Sequence, residues 1–260
     1  MGQSKTLTTE DFINSSIIRY GGFDNYIEER LLSDYFIIEG NLGLTRGVRM
    51  YIANQKRRLE GLKQIRIFDV GPAIGAMTSL LVMQELARVG LLSKTKLILL
   101  DVSERVIHKT QTRQFQFPTA LINSLLKFRI YEKLRHAKGI VSSCESIPQK
   151  DASIDICLAS FVFHNLHDKI KPAAAQEIER ITKPGGFIGI ADQWFKENDY
   201  QDFLQAHQDD EIPLAYESLI SYRRLRNMFS QTEFFEANSP IRRGTKNQNF
   251  YYFCGMKKAA

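Results

Sequence analysis

A glycine-rich turn directly after a short apolar run is the first feature of the sequence that could do chemistry. The segment Asp69–Gly75 reads Asp-Val-Gly-Pro-Ala-Ile-Gly. Glycines in such a turn let a ligand approach the backbone closely, and the N-terminus of the next helix faces that ligand. The spacing does not match a dinucleotide fingerprint, and no Gly-Lys-Ser/Thr follows, which excludes a P-loop. A plain strand-to-helix turn is the alternative interpretation.

Asp101 stands at the end of the second apolar run, 96–101. A carboxylate in that position can accept hydrogen bonds from the two vicinal hydroxyls of a ribose. The alternative is a helix N-cap, because either Asp101 or Ser103 could cap the helix that follows. Taken together with the glycine-rich turn, Asp101 favours a nucleoside-binding site.

The elements that must position these residues alternate along the chain. Apolar runs predict strands at 65–70, 96–101, 139–143, 154–159 and 187–192, and helical spacing occurs at 77–87, 103–137, 173–182 and 216–228. This alternation predicts an α/β fold with a mostly parallel sheet, and the continuous apolar runs indicate helices on both of its faces. Residues 233–237 and 250–255 are predicted to close the sheet as an antiparallel C-terminal hairpin. Ligands of such sheets bind beyond the carboxyl ends of the strands.

The first 60 residues differ from the rest in composition. They are rich in aromatic side chains, and Gly21-Gly22 and the stretch 40–43 predict short helices joined by hinges. We interpret 1–60 as a helical N-terminal lid over the strand ends, and 61–260 as the main domain with a basic helical insertion at about 103–138.

Composition and charge narrow the class of protein. With 260 residues, 43% of them hydrophobic and 25% charged, the chain can bury a full core, which excludes wholesale disorder. We expect no membrane span, no signal peptide, a cytoplasmic location and no metal site, because no apolar stretch is long enough and the histidines lack ligand spacing. The three cysteines, far apart in the sequence, fit a reducing compartment.

The motifs occur in an order that resembles a known family. The segment 69–75, followed by Asp101, resembles the opening of the class I S-adenosylmethionine-dependent methyltransferases, of the type that acts on small molecules. Segments 143–148, 151–157, 159–166 and 174–186 resemble later motifs of that family, so the resemblance covers roughly 65–255. It implies a Rossmann-like sheet, S-adenosyl-L-methionine as cofactor, and these cofactor-binding residues: Asp69, Gly71, Ala73, Gly75, Asp101, Val102, Ser143, Cys144, Glu145 and Ser160.

Two positions depart from the family pattern. Ala73 replaces the middle glycine of the first loop, which adds a methyl group beside the methionine part of the cofactor. Ser143 stands where an acid usually accepts from the adenine amino group. A serine hydroxyl can still accept that hydrogen bond, or Glu145 can take its place.

Methyl transfer needs an acceptor held in line with the activated methyl group, at about 3–3.5 Å, in a dry pocket. His164 is the candidate general base, because histidine exchanges a proton near neutral pH. Asp192 is the second candidate catalytic residue, and Tyr20, Phe161, His164 and Trp194 are the candidate substrate-binding residues. The alternatives are a histidine packed under its loop, a capping aspartate and a core tryptophan.

Four functions compete at this point. The preferred one is methyl transfer to O, N or C of a small molecule. The second is an RNA or protein methyltransferase that uses the basic stretch 102–138, which contains eight Lys and Arg residues but only two Glu. The third, supported by Ala73 and Ser143, is a non-catalytic cofactor-binding regulator. A nicotinamide-dependent oxidoreductase ranks last.

Overall fold

The computed structural model describes residues 35–72, 75–112, 129–166, 168–194, 222–242 and 249–259. Their helices and strands, in chain order, are α1 (Tyr35–Gly61), β1 (Ile65–Val70), α2 (Met77–Arg88), β2 (Thr95–Asp101), α3 (Glu104–Thr112), α4 (Tyr131–Arg135), β3 (Lys138–Val141), β4 (Ile154–Ser160), α5 (Lys171–Ile181), β5 (Thr182–Trp194), α6 (Tyr222–Met228), β6 (Thr232–Arg242) and β7 (Asn249–Lys257). Short 3₁₀ helices cover Leu92–Lys94 and Phe163–Asn165.

The strands within these ranges form one seven-stranded sheet in the order β3-β2-β1-β4-β5-β7-β6. Strands β1 to β5 are parallel, and β7 runs antiparallel to both β5 and β6. The predicted α/β fold, mostly parallel with an antiparallel C-terminal hairpin, is therefore confirmed. The strand order reverses between β1 and β4, which is where an open parallel sheet binds its ligand.

The sheet separates two apolar layers. Ile67 of β1 and Leu99 of β2 face α1 and α2, whereas Phe68 and Ile98, their neighbours in sequence, face α5 and α6. Successive side chains of a strand point to opposite faces, so strands covered on both sides need apolar residues at nearly every position. This explains the continuous apolar runs.

Helix α1 corrects one prediction about the N-terminal segment. It is continuous through Gly40 and Gly43, so the expected hinge between short helices is wrong there. A Cβ at Gly43 would lie 2.3 Å from the Tyr252 ring, and one at Gly47 would lie 2.3 Å from Cys254 Sγ. These two glycines serve close packing of the helix on β7, and tertiary packing outweighs their weak helix propensity. The predicted hinge at Gly21-Gly22 lies outside the described residues.

Polar contacts join the later turns of α1 to β5 and to α2. Arg58 Nη1 donates to the Gly185 carbonyl at 2.7 Å and to the Tyr51 hydroxyl at 2.9 Å. Arg49 binds Glu85 of α2 through two hydrogen bonds of 2.9 and 3.0 Å. Residues 44–59 of the segment interpreted as a lid thus pack beside the sheet.

Two predicted helical stretches are described only in part. Of 103–137, the structure shows α3 and α4, and 113–128 lie outside the described residues; of 216–228, it shows α6. None of the helices in the described ranges is long and apolar enough to cross a membrane.

Candidate functional site

Asp69 lies near the carboxyl end of β1 and is almost fully buried. Its Oδ2 accepts a hydrogen bond of 2.6 Å from Ser79 Oγ of α2. Its Oδ1 is buried and has no hydrogen-bond partner among the described residues. Burial raises the pKa of Asp69 to about 7. The hydrogen bond from Ser79 lowers this pKa, and the nearby Asp101 charge raises it further. A group that brings a donor to Oδ1 would therefore be bound favourably.

The glycine-rich turn after β1 has the backbone geometry that only glycine adopts easily. Gly71 has φ +61° and Gly75 has φ +95°. A Cβ at Gly71 would lie 2.6 Å from Cγ2 of Val162, so this position has no room for a side chain. The Gly75 N–H donates to Thr110 Oγ1 of α3 at 3.0 Å, which fixes the turn against the next helix. Ala73 lies outside the described residues.

Asp101 is the last residue of β2 and is partly buried. Its Oδ1 accepts a hydrogen bond of 2.9 Å from the Ser103 N–H. The cap of α3 is Ser103, whose Oγ accepts from the Val106 N–H at 3.3 Å. Burial raises the pKa of Asp101 to about 7, although hydrogen bonds from the Ser103 and Val102 N–H groups oppose the shift. Asp101 is thus a partly desolvated hydrogen-bond acceptor at the strand end, and Ser103 rather than Asp101 caps the helix.

The loop after β3 lies beside Asp101. The Ser142 N–H donates to the Asp101 carbonyl at 3.1 Å. The Ser143 hydroxyl donates to the Glu145 carboxylate, so the two candidate adenine acceptors are direct neighbours. Burial raises the pKa of the Cys144 thiol to about 12, and the nearby Glu145 charge adds to the effect. This thiol therefore stays protonated at neutral pH.

Asn41 of α1 is a candidate site residue that sequence analysis missed. Its Oδ1 accepts hydrogen bonds from Ser160 Oγ, at the end of β4, and from Thr78 Oγ1, at the start of α2, each 2.6 Å long. In the sequence it stands between two glycines, where it reads as a loop residue. Only the packing of α1 on the sheet brings its amide to the strand ends.

His164 and Asp192 form a buried pair after β4 and within β5. His164 Nδ1 lies 2.6 Å from Asp192 Oδ1, and the His164 backbone N–H donates to Asp192 Oδ2 at 3.2 Å. Because a carboxylate can only accept, the neutral ring carries its proton on Nδ1 and leaves Nε2 as an acceptor. This arrangement supplies the orientation that a histidine general base needs. Trp194 ends β5, and its side chain lies outside the described part.

A buried lysine close to this pair was also missed. Lys171, at the start of α5, has no exposed surface, and its Nζ donates to Asp168 Oδ1 at 2.8 Å. Burial lowers the pKa of Lys171, whereas Asp168 and Asp192 act in the opposite direction. Its positive charge therefore acts on Asp192 from within the protein. The sequence shows only a lysine before Pro172 at a helix start, a pattern typical of the surface.

Phe161 holds a strained backbone conformation next to these residues. Its φ is +58°, which is unfavourable for a bulky side chain. Its N–H donates to the Ala191 carbonyl at 2.8 Å, which holds the loop against β5. Strain of this kind concentrates at functional sites.

The structure thus brings most of the sequence-predicted residues to one edge of the sheet. The residues at or directly after the strand ends are Asp69, Gly71 and Gly75 for β1, Asp101 and Val102 for β2, Ser143, Cys144 and Glu145 for β3, and Ser160, Phe161 and His164 for β4. Asp192 lies near the end of β5. Tyr20 lies outside the described residues. The described residues contain no group of three or more metal-ligating side chains.

Comparison with known proteins identifies the class to which this fold and site belong. Residues 68–190 match the family model of the methyltransferase domain, from β1 to β5. The chain therefore contains a methyltransferase domain over residues 68–190, somewhat less than half of its length, and this domain has the mostly parallel sheet that the class I resemblance predicts. The predictions of that family, of an enzyme and of S-adenosyl-L-methionine as cofactor are confirmed.

Solved structures similar to this chain share the fold. One is the N-methyltransferase NodS from Bradyrhizobium japonicum in complex with S-adenosyl-L-homocysteine: it is 13% identical, with a TM-score of 0.57 and coverage of 95% of this chain and 98% of that one. A methyltransferase from Thermotoga maritima is 15% identical, with a TM-score of 0.54 and coverage of 95% and 100%. Another from Methanosarcina mazei is 15% identical, with a TM-score of 0.53 and coverage of 76% and 95%.

A search of the curated proteins finds no match to the sequence.

Proposed function

We propose that the protein transfers a methyl group from S-adenosylmethionine to a small-molecule acceptor, at oxygen, nitrogen or carbon. The observation that carries this proposal is the buried His164–Asp192 pair beside the strand ends that carry Asp69 and Asp101. A histidine base is useful when the acceptor must lose a proton, as a hydroxyl or a protonated amine must. The pair therefore favours oxygen or nitrogen over carbon.

The residues at the ends of β1, β2 and β3 suit the cofactor. Asp101 would accept hydrogen bonds from the ribose hydroxyls, and the unpartnered Oδ1 of Asp69 would accept from another donor of the cofactor. Gly71 and Gly75 let the cofactor approach the backbone. Ser143 and Glu145 supply acceptors for the adenine amino group. The remaining members of the proposed cofactor set are Ala73, Val102, Cys144 and Ser160.

The cofactor supplies an activated methyl group on a sulfonium, so the chain needs no nucleophile of its own. His164 Nε2 would take the proton from the acceptor while Asp192 holds the ring through Nδ1. Phe161 lies between Ser160 and the histidine loop, where it can contact the acceptor. We also propose that Tyr20 and Trp194 contact the acceptor and that segment 1–60 contributes to covering it.

Two described contacts weaken the case for a nucleic-acid acceptor. In the basic stretch, Arg129 forms an ion pair of 2.6 Å with Glu132, and Lys133 Nζ donates to the Thr95 carbonyl at 3.1 Å. Both cations thus have local partners. A small-molecule acceptor is therefore preferred over RNA or protein.

The test uses S-adenosylmethionine that carries an isotopic label on its methyl group. The full chain is incubated with this donor and, separately, with the small-molecule, RNA and protein fractions of a cell extract. We expect protein-dependent label only in the small-molecule fraction, and we expect His164→Gln to abolish it while S-adenosylhomocysteine still binds. Label in the RNA or protein fraction alone would overturn the proposal.

A further inference from the structure

Asn41 makes a contact that the proposed chemistry does not use. Its side chain is 1% exposed, and one atom, Oδ1, accepts two hydroxyl hydrogen bonds of 2.6 Å. The donors, Thr78 of α2 and Ser160 of β4, are far apart in the sequence. The Asn41 Oδ1 atom thus links two segments that are distant in the sequence.

Both segments border the place where methyl transfer would occur. Thr78 is the second residue of α2 and directly follows the glycine-rich turn that would hold the cofactor. Ser160 ends β4 and directly precedes the strained Phe161 and the loop that carries His164. Any shift of one segment relative to the other would move the methyl donor relative to the acceptor.

The helix that carries Asn41 is itself firmly placed. Gly43 packs against the Tyr252 ring with no space for a Cβ, and Arg49 binds Glu85 through two hydrogen bonds. Burial favours the neutral form of Glu85, but its ion pairs with Arg49 and Arg88 hold its pKa below the usual range. Asn41 therefore projects from a rigid element.

We propose that Asn41 is a positioning residue. It would fix the position of the glycine-rich turn 69–75, which would hold the cofactor, relative to the loop after β4 that carries His164. This inference rests on the proposed function, because it assumes that the segment after β4 borders the acceptor. Its physical basis is that loss of the Asn41 acceptor leaves two hydroxyls inside the protein without their partner. Small displacements at a transfer site reduce the rate strongly, so such a contact matters for alignment.

Calorimetry with S-adenosylhomocysteine as the probe measures this role. Asn41→Leu removes the acceptor at similar volume, and we expect it to weaken binding by about tenfold. Asn41→Asp retains an oxygen that can accept from both hydroxyls, so we expect it to recover most of the affinity. Thr45→Val is the matched control: Thr45 donates to the Asn41 backbone carbonyl at 2.7 Å rather than to its Oδ1, so the affinity of this variant should equal that of the wild type.

A mutant cycle distinguishes positioning from general destabilisation. Thr78→Val and Ser160→Ala each remove one donor, and their combined effect on affinity should be smaller than the sum of the two single effects. In the Asn41→Leu background Thr78→Val should have no further effect, and any loss that Ser160→Ala still causes there measures the proposed contact of Ser160 with the cofactor. If Asn41→Leu does not fold, the cycle in the wild-type background carries the test.

The outcomes separate the two proposals. Absence of binding by the wild-type chain would overturn the proposed function itself. Binding by the wild type with unchanged affinity in Asn41→Leu, or strict additivity of the Thr78 and Ser160 substitutions, would overturn the role of Asn41 alone.

Discussion

Replacement of Asp101 by asparagine should change cofactor affinity and protein stability in opposite directions. Asparagine keeps an oxygen for the Ser103 N–H but loses the charge that would receive the ribose hydroxyls. Two hydrogen bonds, each worth about 1.5–3 kcal/mol with a carboxylate, lose their charge assistance and are weakened. We therefore expect Asp101→Asn to weaken binding of S-adenosylhomocysteine by at least about tenfold.

The pH dependence of wild-type binding follows from the same carboxyl group. Burial raises the pKa of free Asp101 to about 7, and bound ribose hydroxyls favour the ionised form. Protonation must therefore compete with binding below pH 7, and affinity should fall by about tenfold between pH 8 and pH 6. Asp69, with a pKa raised to about 7, would add to this loss. The fall should be smaller in Asp101→Asn.

Stability of the ligand-free protein should show the reverse sign. The folded state retains the Asp101 proton up to about pH 7, whereas an unfolded chain loses it near about pH 4. The folded state therefore binds more protons in this interval, and its stability decreases as pH rises through it. At pH 8 the full cost is present, so Asp101→Asn should raise the melting temperature there, and should raise it less at pH 5.

The assay combines calorimetry at pH 6, 7 and 8 with thermal melts of the ligand-free protein. Glu104→Gln is the control, since it removes an exposed charge three residues away without touching the strand end. If Asp101→Asn binds S-adenosylhomocysteine as tightly as the wild type, Asp101 does not receive the ribose. If the substitution lowers the melting temperature at pH 8, the Asp101 charge does not destabilise the ligand-free protein.

Three further predictions concern other parts of the site. In urea denaturation, Gly71→Ala should destabilise the protein by about 2–3 kcal/mol and Gly90→Ala by about 1 kcal/mol. Both glycines have positive φ, but of the two only Gly71 also lacks room for a Cβ. Equal losses of stability would contradict the clash with Val162. Asp192→Asn should slow transfer to an identified acceptor by at least about a hundredfold, with unchanged S-adenosylhomocysteine affinity, because an amide facing Nδ1 favours the wrong tautomer; an unchanged rate would argue against His164 as base. Cys144, whose thiol pKa burial raises to about 12, should react with a thiol reagent at least about a hundredfold more slowly in the native protein than in urea, and equal rates would show that it is accessible.

The strands were predictable because burial on both faces leaves a direct record in the sequence. The runs 65–70 and 154–159 lie within one residue of β1 and β4. Their carboxyl ends then locate Asp69 and the loop that carries His164. The insertion of β7 between β5 and β6 was not predictable, because hairpin residues alone do not show which strand pairs with the sheet.

The residues that sequence analysis missed depend on packing. Gly43 reads as a helix breaker until the Tyr252 ring is known to lie against it. Asn41 gains its role only from the approach of α1 to the strand ends, and Lys171 becomes a buried charge only because α5 covers it. Local patterns carry no record of contacts between distant segments, so these roles required the structure.

A crystal structure of the full chain with S-adenosylhomocysteine would show whether the cofactor lies at the ends of β1 and β2. We expect ribose hydroxyls within hydrogen-bonding distance of the Asp101 carboxylate, a ligand donor on Asp69 Oδ1, and the sulfur facing the loop of Phe161 and His164. A ligand bound away from the ends of β1 and β2, or a sulfur facing away from His164, would contradict this expectation.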